Sequence, residues 1–138
     1  MEGTPAARRF QGAYSAEPAQ VGCARRALRQ ALDDHPAADD ATLIATEFAT
    51  NAVLHSASRN GGKFILRAEI HPGYVRVEVE DAGGPWNPTR HSDGRPHGLD
   101  LIEALTGPES WGIDGDDACR VAWAKVGTTA PSGANVLG

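Results

Sequence analysis

Ala41 to Ala57 reads ATLIATEFATNAVLHSA. The spacing of its apolar residues predicts a helix. Glu47 is its only formally charged residue, and Asn51 and His55 are its only other large polar groups. They stand at i, i+4 and i+8, so they form a row along one face. At about 100° per residue, the row falls between Leu43 and Leu54 on one side and Ile44 and Phe48 on the other. Thr42, Ala45, Ala49, Val53 and Ser56 lie opposite. A surface helix sets its polar groups opposite its large apolar ones, so here the polar row is expected on the buried side. A carboxylate there is costly without a partner. Two readings fit: core polar groups bonded to one another, or a pocket floor that uses a carboxylate, an amide and an imidazole.

The flanking sequence supplies the other elements. Arg8 to Ser15 fits an edge strand, and Pro18 suits the first turn of a helix. Val21, Ala24, Leu28 and Ala31 then recur at helical spacing, with Arg25, Arg26 and Arg29 pointing to solvent. His35-Pro36 ends that helix, the quoted one starts near Asp39 or Asp40, and Gly61-Gly62 breaks it. Phe64, Leu66, Ala68 and Ile70 alternate with polar neighbours. After the turn at His71-Pro72-Gly73, Val75, Val77 and Val79 alternate with Arg76, Glu78 and Glu80. This is a hairpin with one buried face. A Gly- and Pro-rich loop from Ala82 to His97 leads to a short helix, Gly98 to Leu105. Trp111 to Asp114 and Arg120 to Val126 read as two last strands. The order predicts an α+β protein, a two-layer α/β sandwich whose mixed, mainly antiparallel sheet is covered by helices on one face. One domain is expected over residues 10–127, between flexible tails at 1–9 and 128–138.

Composition narrows the function classes. The 138 residues suffice for a core without metal or disulfide support, and apolar (41%) and charged (22%) fractions are those of an ordinary globular chain. Net charge is -5 and no run of Lys or Arg exceeds two residues, which argues against direct nucleic-acid binding. No apolar stretch approaches the ~18 residues that span a bilayer. Met1 to Gln11 has no apolar signal-peptide core, so a cytoplasmic location without membrane contact is expected. Cys23 and Cys119 have no CxxC spacing and read as reduced core thiols.

Two more places carry chemistry. Asp81 keeps the phase of Val75, Val77 and Val79, so it points to the buried face, and Gly83 and Gly84 follow it. A carboxylate there either caps the turn or accepts a hydrogen bond from an exocyclic amine, with glycine permitting close approach. The stretch Gly94-Arg95-Pro96-His97-Gly98-Leu99 leads into the short helix. A helix start offers free N–H groups to a phosphate, although Asp100 competes for the same end. Arg90, His91, Arg95 and His97 add cations and donors nearby.

Taken in order, Glu47-x-x-x-Asn51-x-x-x-His55, Asp81-x-Gly83 and Gly98-Leu99 resemble the motifs of the GHKL (Bergerat-fold) ATPases. Within that superfamily the chain is similar to the small anti-sigma-factor serine/threonine kinases of bacteria and to short stand-alone ATP-binding proteins of actinomycetes. The similarity spans roughly residues 10 to 127. It implies that Asn51 binds the Mg²⁺ bridging the ATP phosphates, that Glu47 is the general base and that His55 braces the same pocket. It further implies that Asp81 bonds the adenine amino group and that Gly83 shapes the adenine pocket. Pro85 to His97 would form a short lid carrying Arg90 and Arg95. His97, Gly98 and Leu99 would lie by the phosphates. One amide oxygen plus phosphates and water suits Mg²⁺, and phosphoryl transfer needs chiefly positioning, charge neutralisation and one base. The chain departs from the pattern at Pro96, where the second glycine box has a glycine. It also departs on the last long strand, where a threonine faces adenine in the family and Val121 is taken to stand here.

The resemblance implies a regulatory ATP-binding protein that phosphorylates an anti-sigma-factor antagonist, sequesters a sigma factor, or does both, and that forms a homodimer. Intact Glu47 favours the kinase. Pro96 and the short lid favour the alternative, a catalytically weak nucleotide-binding module that regulates a partner by binding alone.

Overall fold

Alternation lays down the sheet. The computed structural model describes residues 8–55, 61–82, 99–107, 110–115 and 119–127, without the side chains of residues 55 and 99–101. Along the chain run β1 (Arg8–Ser15), α1 (Pro18–Leu32), α2 (Ala38–His55), β2 (Lys63–His71), β3 (Tyr74–Asp81), α3 (Leu99–Thr106), β4 (Trp111–Gly115) and β5 (Arg120–Gly127). Phe64, Leu66, Ala68 and Ile70 of β2 and Val75, Val77 and Val79 of β3 are buried, and their neighbours in sequence are half-exposed or exposed. β-branched and aromatic residues with period two suit a sheet with one covered face.

The five strands lie in the order β1-β2-β3-β5-β4. The sheet expected to be mixed is antiparallel at all four pairings. β1 is an edge, as its sequence suggested, and β2 and β3 join through a tight turn at Pro72-Gly73. α3 stops at Gly107, whose φ of 94° is open to glycine at no steric cost. Its N–H bonds the carbonyl of Glu103 at 2.8 Å, closing the last turn.

α1, α2 and α3 cover the buried face of the sheet, and α2 packs against α1 as well as β3. This double contact corrects the expected orientation of α2. Its buried arc is the small-residue side: Ala41, Ala45, Ala49 and Ala52, flanked by Ile44 and Phe48 on one edge and Thr42 and Val53 on the other. Leu43 and Leu54 are exposed, at 42% and 51%. The rule that large apolar residues mark the inside fails because α2 is wedged between a helix and a sheet, and short side chains permit that close approach. The polar row therefore starts at the rim. Each i+4 step turns about 40° around the helix, carrying the row from half-buried Glu47 toward the core, beside Ile44, at Asn51.

A residue pair unseen in the sequence locks the helix layer to the sheet. His35, between α1 and α2, accepts a 3.0 Å hydrogen bond at Nδ1 from the N–H of Ala37, and its Nε2 lies 2.6 Å from the carbonyl oxygen of His71. Accepting on one nitrogen fixes donation on the other, so the ring is the neutral Nε2–H tautomer. On the open face, Arg67 bonds Glu78 at 2.9 Å and Glu80 at 2.7 Å, and Arg76 also bonds Glu78. The Arg67 hydrogen bond holds the Glu80 carboxyl below its ordinary pKa, against the opposing effect of burial. Both cysteines are free thiols as expected, but only Cys23 is half-buried. Cys119 is exposed rather than part of the core, with its Sγ 3.4 Å from Glu80.

Candidate functional site

Three elements meet at one end of the sandwich. α2 brings Phe48 and Asn51, β3 brings Val79 and Asp81, and β5 brings Arg120 and Ala122. Together they line a pocket of about 10 Å³ between the helix layer and the sheet, room for a single water. The strand register explains the set. Val79 faces Ala122 and Asp81 faces Arg120 across the ladder, and directly opposed residues share a face. Asp81 thus continues the buried side of β3 past Val79, as its phase in the sequence indicated.

The last strand needs a correction. Val121 pairs with Glu80, so it lies on the open side of the sheet and not at the pocket. The residue opposite Asp81 is Arg120, whose Nη2 lies 3.4 Å from Asp81 Oδ1. Both side chains are nearly out of solvent, at 11% and 10% exposure. Arg120 is not among the residues that the motifs of the sequence mark out. The available signal was the alternation of Ala122, Ala124 and Val126, whose phase extends back to position 120.

Of the residues singled out in the sequence, Asn51 and Asp81 come together at this pocket. Glu47 stands one turn earlier on α2, half-buried, and does not line it. His55 closes α2 and Leu99 opens α3, but their side chains lie outside the described residues. Gly83, Arg90, Arg95, His97 and Gly98 fall outside them altogether, as do Pro96 and most of both expected tails. Among the described residues no three His, Cys, Asp or Glu side chains cluster to hold a metal.

This architecture, an antiparallel sheet with helices on one face and a polar pocket between the layers, is the GHKL-type ATPase fold. The profile of the histidine kinase-like ATPase domain matches residues 14–113, and the chain belongs to that family. Among solved structures, the chain is similar to the RsbU and RsbW domains of Rv1364c from Mycobacterium tuberculosis, with 23% identity and a TM-score of 0.65. The match covers 86% of this chain and 32% of that one, so this chain spans about a third of that protein. No curated protein matches the chain.

Proposed function

We propose that this chain is an ATP–Mg²⁺-binding regulatory domain, one folded unit over residues 10–127, that acts as a serine/threonine kinase on an anti-sigma-factor antagonist, holds a sigma factor, or does both. The observation that carries this reading is the convergence of Asn51 from α2 and Asp81 from β3 on one pocket in a histidine kinase-like ATPase fold. In this reading Asp81 accepts a hydrogen bond from the adenine amino group. Asn51, His55 and the glycines at 83 and 98 hold the rest of the nucleotide, with His97 and Leu99 beside the phosphates and Arg90 and Arg95 on the lid. Mg²⁺, when bound, would neutralise phosphate charge. Asn51 would offer it one amide oxygen.

Glu47 lies about 6 Å along the helix from Asn51, at the solvent rim where a protein substrate can reach it. It takes the proton of the serine or threonine hydroxyl. The hydroxyl oxygen forms a bond to the γ-phosphorus as the bond to the β,γ-bridging oxygen breaks, and ADP leaves. A cytoplasmic site of action accords with the lack, among the described residues, of any helix long and apolar enough to cross a membrane. A homodimer is the expected assembly.

A second reading, regulation by binding with weak or no phosphotransfer, is favoured by the Asp81–Arg120 ion pair, which engages the carboxylate meant for the base.

Calorimetric titration with ATP and Mg²⁺ tests the nucleotide reading, and the absence of both heat and thermal shift sinks it. Asn51→Ala is expected to abolish Mg²⁺-dependent binding. Glu47→Ala is expected to bind ATP like the parent and to lose phosphotransfer; transfer at the parental rate would remove Glu47 from the base role.

A further inference from the structure

We propose that Arg120 is a built-in occupant of the base subsite, so that a nucleotide binds only after displacing its guanidinium from Asp81. The inference rests on the adenine role given to Asp81 above and adds how that site is controlled. Cross-strand register sets Arg120 directly opposite Asp81, on the pocket side of the sheet. The two charges lie 3.4 Å apart, and both side chains are about nine-tenths buried. The guanidinium offers Asp81 N–H donors, which is also what an exocyclic amine offers. Arginine and adenine are therefore alternative partners of one carboxylate.

Space leads to the same conclusion. Between the described residues beside Arg120 there is room for one water, and a purine needs far more. Of the residues lining it, Phe48 and Val79 are core side chains, Ala122 has nothing to move, and Asn51 and Asp81 are the proposed nucleotide contacts. Arg120 is long, flexible and the first residue of β5, next to exposed Cys119. From the end of β5 its displacement would leave the interior of the ladder in place. Its charge also answers a stability problem. A carboxylate this buried without a countercharge destabilises the empty protein, and Arg120 supplies one until a nucleotide arrives. The cost appears as slower and weaker nucleotide binding.

Calorimetry and stopped-flow mixing with ATP and Mg²⁺ on the full chain, comparing the parent with Arg120→Thr and Arg120→Gln, test this. Both variants should bind ATP more tightly, on the order of tenfold for one lost buried ion pair, mainly through faster association. Without nucleotide both should melt at lower temperature, and ATP should raise their melting point by more than it raises the parent's. Adding Asp81→Asn to Arg120→Thr should erase the gain. Parental or weaker ATP affinity in both variants overturns the proposal and leaves the nucleotide reading intact. Absence of binding in parent and variants alike overturns both. Should the variants not fold, the parent still decides. The side-chain Nε–H resonance of Arg120, followed with ¹⁵N-arginine labelling, should shift at saturating ATP, and an unmoved resonance rejects displacement.

Discussion

Ala52 and Leu54 sit two positions apart on α2, and the structure reverses the roles that their sizes suggest. Ala52 is fully buried in the wedge between helix and sheet, while Leu54 is 51% exposed. Ala52→Leu forces a larger side chain into closed packing, which costs about 1–3 kcal/mol. Full burial of a leucine is worth about 1.5–3 kcal/mol. A half-exposed one therefore loses about 1 kcal/mol when cut to alanine, less a few tenths for the better helix propensity of alanine. If Leu54 were a core residue, its truncation would instead cost about 2–5 kcal/mol. Urea titrations of the two variants, read as midpoints at constant slope, separate the cases. The expected order is a larger loss for Ala52→Leu than for Leu54→Ala. The reverse order would refute the wedged packing of α2 and with it the placement of Glu47 at the rim. Because Ala52 follows Asn51, Ala52→Leu should also weaken ATP binding by more than its effect on stability explains, whereas Leu54→Ala should leave affinity within about twofold.

Three further outcomes follow from the packing and the charges. Thr42 is buried with no partner for its Oγ1 among the described residues, so Thr42→Val should raise stability by about 1 kcal/mol, seen as a melting point higher by about 3 °C. His35→Ala removes the bonds to His71 and Ala37 and should cost about 1–3 kcal/mol, with faster hydrogen exchange at the Ala37 amide. The carboxyl of Glu80 has a lowered pKa in the folded state, chiefly through the Arg67 hydrogen bond. Its contribution is therefore present above the unfolded-state value of about 4.3 and is lost as pH falls through the lower folded-state value. For a pair about a third exposed that contribution is about 1 kcal/mol or less, so Glu80→Gln should be less stable than the parent at pH 7, and the difference should shrink as pH falls through the lowered folded-state pKa of Glu80.

Much of the fold was legible because period and phase are local properties. Val75, Val77 and Val79 alternate within one strand, and Asp81 keeps their phase, so its side of the sheet follows from β3 alone. Pro18 opens α1 for an equally local reason, its fixed φ and missing N–H. Three other features were not legible, because each depends on what lies across a gap in the chain. Which arc of α2 is buried depends on its being packed on two sides. The lock formed by His35 depends on a carbonyl in the turn at His71. The partner of Asp81 depends on the β3–β5 register, and a slip of one residue would bring Val121 to the pocket side in place of Arg120.

In the proposed reading, that register ties the protein's stability to its ligand. The polar row of α2 and the end of β3 bring an amide and a carboxylate to one pocket; if a nucleotide uses both as proposed, the buried carboxylate is a liability whenever the nucleotide is absent. Threonine opposite Asp81 would leave that liability standing. Arginine removes it, and in doing so competes with the base. Stability of the empty state and affinity for ATP then move in opposite directions with the strength of one ion pair, while bound nucleotide stabilises the fold by mass action. Across substitutions at position 120, the melting temperature without nucleotide and the logarithm of the ATP dissociation constant should therefore rise and fall together. Independent variation of the two would mean that the guanidinium and the base do not share Asp81.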